Sequence, residues 1–110
     1  MLRLRPIELH QPTSLDEVVA LMSEHGPRAR LISGGTDLVP NMKLLQNDPE
    51  VLVSLRRVEG MVGIEERDGF VVIGAGTRIH DMAEHALVQQ HLPALASAAS
   101  RIASPQIRNM

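Results

Sequence analysis

A short apolar run, Ala29-Arg30-Leu31-Ile32-Ser33, ends on two adjacent glycines, Gly34 and Gly35, and Thr36-Asp37-Leu38 follows at once. No other stretch limits the possible folds as much. The apolar run predicts a strand, the glycine pair breaks it, and Thr36 or Asp37 can cap a helical turn that runs through Met42. A second buried-type run, Val51 to Leu55, follows the turn signal Asp48-Pro49. With a connecting segment between them, the two strands can pair in parallel as one βαβ-like unit. Upstream, after an extended entry through Leu4, Ile7 and Leu9, Ser14-Leu15-Asp16-Glu17 forms a capping box in which Ser14 and Glu17 satisfy orphan amides reciprocally. The helix it opens carries Leu15, Val18, Val19 and Met22 on one apolar face, and Gly26-Pro27 stops it.

Beyond Gly60 the pattern changes. Met61 to Glu65 and Phe70 to Ile73 flank Arg67-Asp68-Gly69, and Asp-Gly between apolar runs predicts an antiparallel hairpin. A helix is expected from Ile79 to Val88 with Thr77 as its cap. A later helix places Leu92, Leu95, Ala96, Ala99, Ile102 and Ala103 on its apolar face and ends at Ser104-Pro105, with Gln106 to Met110 leaving it as a strand or loop. The expected class is α+β, α/β-like at its start, with a βαβ-type subdomain over residues 1–57 and the start of a second mixed α+β subdomain over 58–110.

Composition excludes several chemistries. With 110 residues, a net charge of −2, 44% hydrophobic and 22% charged residues, the chain has the balance of a soluble globular domain. It has no cysteine, which removes disulfides, thiolate nucleophiles, cysteine-held zinc and iron–sulfur ligation, so redox chemistry would need a bound organic cofactor. One phenylalanine, no tyrosine or tryptophan, and 11 basic against 13 acidic residues give no reason to expect nucleic acid as a partner. No run approaches the roughly 18 apolar residues of a membrane span. Arg3, Arg5, Pro6 and Glu8 interrupt any signal-peptide core, so a cytoplasmic setting is expected.

Two glycine turns invite a functional reading. Adjacent glycines at 34 and 35 can take positive φ and leave a run of backbone N–H groups uncovered for an anion. The helical turn behind them adds its positive end, and the Thr36 hydroxyl adds a donor, so a pyrophosphate could be held without lysine or arginine. Equally, Gly34-Gly35 could simply turn the chain and Asp37 simply cap a helix, and spacing alone leaves the two readings open. Gly74-Ala75-Gly76-Thr77-Arg78-Ile79 imitates the dinucleotide fingerprint Gly-x-Gly-x-x-Gly but has Ile79 where the third glycine belongs, and lacks the acidic residue about 20 positions on. It reads better as a strand-end turn supporting a neighbouring loop. His80 and His85 are not at the three- or four-residue spacing that stacks side chains on one helical face, and His80 with Glu84 or Asp81 with His85 reads as a solvated helix surface. His10, His25 and His91 sit near turns or ends, so neither a catalytic set nor a metal site is expected.

In order, Pro12-Thr13-Ser14-Leu15-Asp16-Glu17, the loop from Leu31 to Leu38 with Val39-Pro40-Asn41-Met42-Lys43, Ile73-Gly74-Ala75-Gly76-Thr77, Leu92-Pro93-Ala94-Leu95 and Gln106-Ile107-Arg108-Asn109 resemble the amino-terminal part of the FAD-binding medium subunit of the molybdenum hydroxylases. This is the family of xanthine dehydrogenase, carbon monoxide dehydrogenase and 4-hydroxybenzoyl-CoA reductase. The resemblance spans essentially the whole chain and implies a PCMH-type FAD-binding fold. It also implies FAD as cofactor, with the pyrophosphate cradled by Leu31, Ile32, Ser33, Gly34, Gly35, Thr36, Asp37 and Leu38. It places Ile102 against the flavin and the start of a second phosphate loop, Gly-Thr-x-Gly-Gly-Asn, around Met110, so this sequence would be the opening, truncated part of that fold. The implied partners are an iron–sulfur small subunit carrying 2Fe–2S clusters and a large subunit carrying molybdopterin, with NAD as a possible acceptor. In this reading no side chain acts as an acid or base. Two alternatives stand beside it: a truncated, non-catalytic interaction module of the same fold that no longer binds flavin, and a binder of another phosphate ligand at the same turn.

Overall fold

The computed structural model describes residues 4–44 and 48–110, and the chain divides into two compact units, Met1–Glu59 and Gly60–Met110. The first contains β1 (Glu8–His10), α1 (Leu15–His25), a 3-10 turn (Gly26–Arg28), β2 (Ala29–Ile32), α2 (Leu38–Lys43) and β3 (Val51–Ser54). The three strands form one parallel sheet in the order β1-β3-β2, with Leu9 opposite Leu52 and Leu31 opposite Val53. A central parallel strand is covered on both faces, which is why β3 is a continuous apolar run rather than an alternating one. All four of its residues are buried, and Val53 is fully enclosed at 0% exposure. The segment joining α2 to β3 includes residues 45–47, which lie outside the described residues.

Helix α1 starts as its sequence dictates, with the Ser14 hydroxyl accepting from the Glu17 amide at 3.2 Å. The reciprocal half of the capping box, from the Ser14 amide to the Glu17 carboxylate, is not made among the described hydrogen bonds. The apolar face is also narrower than its periodicity predicts. Val18 is buried and Met22 half-buried, but Leu15 and Val19 stay 55% and 63% exposed. A sheet of three strands, each three or four residues long, is too small to cover a full helical face, so α1 rests on it along one line of side chains. Replacing Ser14 by alanine leaves the Glu17 amide without its cap, and chemical denaturation should register a loss of about 1 kcal/mol with an unchanged m-value.

The second unit opens with an antiparallel hairpin, β4 (Ile64–Arg67) and β5 (Phe70–Ile73), in which Arg67 pairs with Phe70. Asp68 and Gly69 take positive φ of 53° and 81°, the two-residue turn whose hand matches the strand twist. The first strand begins later than the sequence suggests, because Met61 and Gly63 are engaged by the segment that follows β5. Four helices come next: α3 (Ile79–Glu84), α4 (Ala86–His91), α5 (Pro93–Arg101) and α6 (Pro105–Arg108). The single helix expected over 79–88 is therefore two. His85 leaves the helical region at ψ 133°, and its Nδ1 accepts from the Leu87 amide at 3.2 Å, so the imidazole ends one helix and caps the next. Thr77 is not the cap of α3; that position falls to Arg78, which makes no side-chain capping bond.

The tail differs too. Helix α5 stops at Arg101, before Ile102 and Ala103, and Ala103 adopts a left-handed φ of 54°. The residues expected as strand or loop then form α6, with the Ser104 hydroxyl accepting from the Ile107 amide at 3.3 Å. The core of this unit gathers at Val88, Ala96 and Ala99, where two alanines let α5 approach its neighbours closely.

Candidate functional site

The glycine loop leaves the sheet at the carboxyl end of β2. The Ile32 carbonyl still accepts from the Leu55 amide at 2.9 Å, the last rung between β2 and β3, and the chain then turns away. Of the two glycines only Gly35 takes a positive φ, at 75°. Its carbonyl accepts from the Val39 amide and that of Asp37 from the Asn41 amide, both at 3.1 Å, so the loop runs straight into α2. Asp37 occupies the N-cap position without capping, since its Oδ2 instead accepts from the Asn41 side-chain amide at 3.3 Å. Thr36, the other expected cap, lies before that position in an exposed turn.

The loop amides differ from those of the elements on either side. Among the described residues, no N–H from Ser33 through Leu38 donates to a backbone or side-chain acceptor. A buried strand or helix satisfies its donors internally, whereas these successive amides stand at the carboxyl ends of parallel strands, where open α/β sheets take their ligands. Ser33, Thr36 and Asp37 are exposed and Gly34, Gly35 and Leu38 half-buried, so the run is reachable from solvent. A diphosphate is the group such a donor set suits.

The remaining expected site residues belong to the second unit. Ile102 follows α5; its amide donates to the Ala98 carbonyl at 3.0 Å and its carbonyl accepts from Arg108 Nη1 at 2.7 Å, leaving only its 53% exposed side chain to offer a ligand. The Met110 amide donates to the Ile107 carbonyl at 3.1 Å, and its side chain is 52% exposed.

The second glycine motif serves the fold. The Gly76 amide donates to the Met61 carbonyl at 2.7 Å and the Gly74 amide to the Gly63 carbonyl at 2.9 Å. The Thr77 hydroxyl accepts from the Gly63 amide at 3.0 Å while lying 3.2 Å from the Gly63 carbonyl, to which it donates. Amides that could have faced a phosphate are spent on the chain before β4, which is the strand-end support role the missing third glycine suggested. His80 Nε2 sits 3.3 Å from Glu84 Oε2 on an exposed surface, and no group of three or more potential ligands is placed to hold a metal among the described residues.

One residue beside the loop escaped sequence reasoning. Arg56, just past β3, directs its Nε at the Ser33 carbonyl, 3.4 Å away. Nothing in linear spacing links positions so far apart; only the parallel pairing of β2 with β3 brings them together.

The family described as FAD binding domain in molybdopterin dehydrogenase matches residues 5–110. The chain belongs to that family. Within the FAD-binding domain family of the molybdopterin dehydrogenases, it is 45% identical over 102 residues to the carbon monoxide dehydrogenase medium chain of Hydrogenophaga pseudoflava, covering 93% of this chain and 36% of the relative. It is 34% identical over 102 residues to the xanthine dehydrogenase FAD-binding subunit of Escherichia coli O157:H7, covering 92% and 35%. Among solved structures, carbon monoxide dehydrogenase from Hydrogenophaga pseudoflava superposes with a TM-score of 0.93 at 43% identity, over 97% of this chain and 37% of that one. Quinoline 2-oxidoreductase from Pseudomonas putida 86 does so with 0.90 at 27% identity, over 97% and 37%. The mixed α+β architecture is thus that of the FAD-binding domain family, and the chain spans about a third of the length of the relatives it matches.

Proposed function

We propose that this chain supplies the first diphosphate-holding loop of an FAD-binding medium subunit in a molybdenum-hydroxylase-type oxidoreductase. The observation that carries the reading is the run of unpartnered amides from Ser33 through Leu38 at the ends of parallel strands, in a chain of the FAD-binding family. Leu31, Ile32, Ser33, Gly34, Gly35, Thr36, Asp37 and Leu38 form the binding segment; in the second unit Ile102 and Met110 keep exposed apolar side chains. Bound flavin supplies the redox chemistry, exchanging electrons between iron–sulfur clusters and an acceptor such as NAD. The protein's part is to bind and orient, and no side chain of this chain serves as acid or base. Relatives named as a medium chain or as subunit alpha of a dehydrogenase complex support an assembly with an iron–sulfur small subunit and a molybdopterin-binding large subunit. No helix among the described residues is long and apolar enough to cross a membrane, and a cytoplasmic setting belongs to the same reading.

The test separates the diphosphate from the ring. The full-length protein carrying this sequence should bind FAD at micromolar concentration or tighter, about −8 kcal/mol or better. Riboflavin, which lacks the diphosphate, should bind at least about 100-fold more weakly, since even two lost charge-assisted bonds of roughly 1.5–3 kcal/mol each suffice. Equal affinity for the two would remove the diphosphate-holding role of the loop, and no saturable FAD binding at all would favour the interaction module over the flavin domain.

A further inference from the structure

We propose that Arg56 is the cationic partner of the glycine loop, setting the position of Ser33 through its Nε and presenting the rest of its guanidinium to the diphosphate. The inference rests on the flavin reading above. Three bonds hold this arginine at the mouth of the loop: the Arg56 amide donates to the buried Ser54 hydroxyl at 3.3 Å, the Leu55 amide to the Ile32 carbonyl at 2.9 Å, and the Val58 amide to the Leu55 carbonyl at 3.2 Å. These fix the backbone at the end of β3. From there Nε reaches the Ser33 carbonyl at 3.4 Å, a long bond whose own strength is small. Its consequence is placement: the guanidinium is tied to Ser33, the residue that opens the run of unpartnered amides, and its Nη donors make no hydrogen bond to the protein among the described residues.

Charge supplies the second half of the argument. Arg56 is in no ion pair among the described residues, a state it shares with Arg30, Arg57, Arg78, Arg101 and Arg108, and what sets it apart from them is its bond to the loop. The loop itself carries a carboxylate, Asp37, exposed and held by Asn41 rather than by a cation. A diphosphate entering next to Asp37 therefore meets like charge as well as amide donors, and Arg56 is the cation bonded to that loop. Arginine suits the task better than lysine, because its planar fork can hold a carbonyl with one edge and a phosphate oxygen with another.

The test uses FAD titrations of the full-length protein across a range of salt concentrations, with Arg56→Gln, Arg56→Lys and Gly35→Ala. Arg56→Gln should weaken FAD about tenfold, about 1.4 kcal/mol, and make the salt dependence of Kd shallower. Arg56→Lys should recover the salt dependence and part of the affinity. The folded fraction should be unchanged, because the side chain is exposed. An affinity within twofold of the parent in Arg56→Gln, or a loss with unaltered salt dependence, overturns the role of Arg56. If Gly35→Ala also leaves FAD binding intact, the loop reading itself has failed; if Gly35→Ala weakens FAD and Arg56→Gln does not, only the present inference has.

Discussion

Replacing Gly35 by valine should raise the Kd for FAD by roughly 100-fold or more, the loss expected when two or more charge-assisted bonds of about 1.5–3 kcal/mol each are misaligned. Two independent features of the position produce this effect. Its φ of 75° is a conformation that costs a β-branched residue about 1–2 kcal/mol or more. A Cβ built there would also lie 3.2 Å from Val39 Cγ2 and 3.3 Å from Ile32 Cδ1. Those two side chains sit on the first turn of α2 and the last residue of β2, so the loop is flanked on both sides and both neighbours must give by a few tenths of an ångström to admit the new side chain. Whatever shift relieves the contact redirects the amides on either side of it. The damage should be local: Ile32 and Val39 are half-buried rather than core residues, so the fold should lose only about 2–3 kcal/mol, visible as a lowered denaturation midpoint with the parent's circular dichroism. Flavin titration of the folded variant at parent-like affinity would show that the amide directions at this turn do not matter for the cofactor.

How much of this was legible in the sequence follows the range of the interactions. The start of α1, the parallel pairing of β2 with β3 and the Asp68-Gly69 hairpin all follow from residues close together in the chain or from continuous apolar runs. The break at His85 did not, because the ring that caps α4 belongs to a residue whose spacing from Asp81 fits an unbroken helix equally well. The exposure of Leu15 and Val19 was equally hidden: periodicity shows which side chains share a face, and only the width of the opposing sheet shows how much of that face it can cover. At the candidate site the glycine turn was visible and its competing readings were not separable, since both predict the same residues. What separates them is whether the amides of residues 33–38 find protein acceptors, a tertiary property. Arg56 lay beyond reach for the same reason, being brought to Ser33 by strand pairing alone.

The largest effect on stability should come from a change of one methyl group at Gly74. A Cβ there would overlap the Met61 carbonyl oxygen and lie 2.7 Å from its carbon and 3.0 Å from the Val62 nitrogen. All three are backbone atoms, so no rotamer change relieves the overlap. The main chain must separate, and with it go the bonds from Gly74 to Gly63 at 2.9 Å and from Gly76 to Met61 at 2.7 Å. The paired contacts of Thr77 with Gly63 are lost in turn. Gly74→Ala should therefore cost about 4 kcal/mol or more, a large share of the 5–15 kcal/mol by which a domain is ordinarily stable. Gly26→Ala is the matched control. That glycine, unlike Gly74, has a positive φ, 54° with ψ −131°, outside the left-handed helical region, but an added Cβ would meet nothing within 4 Å, so only backbone strain of about 1–3 kcal/mol applies. Urea denaturation of the two variants separates close approach from strain, because Gly74 is not among the glycines with positive φ. If Gly74→Ala proves no more costly than Gly26→Ala, the segment before β4 does not press against Gly74 in solution, and the Gly-Ala-Gly-Thr motif would again have amides free for a ligand.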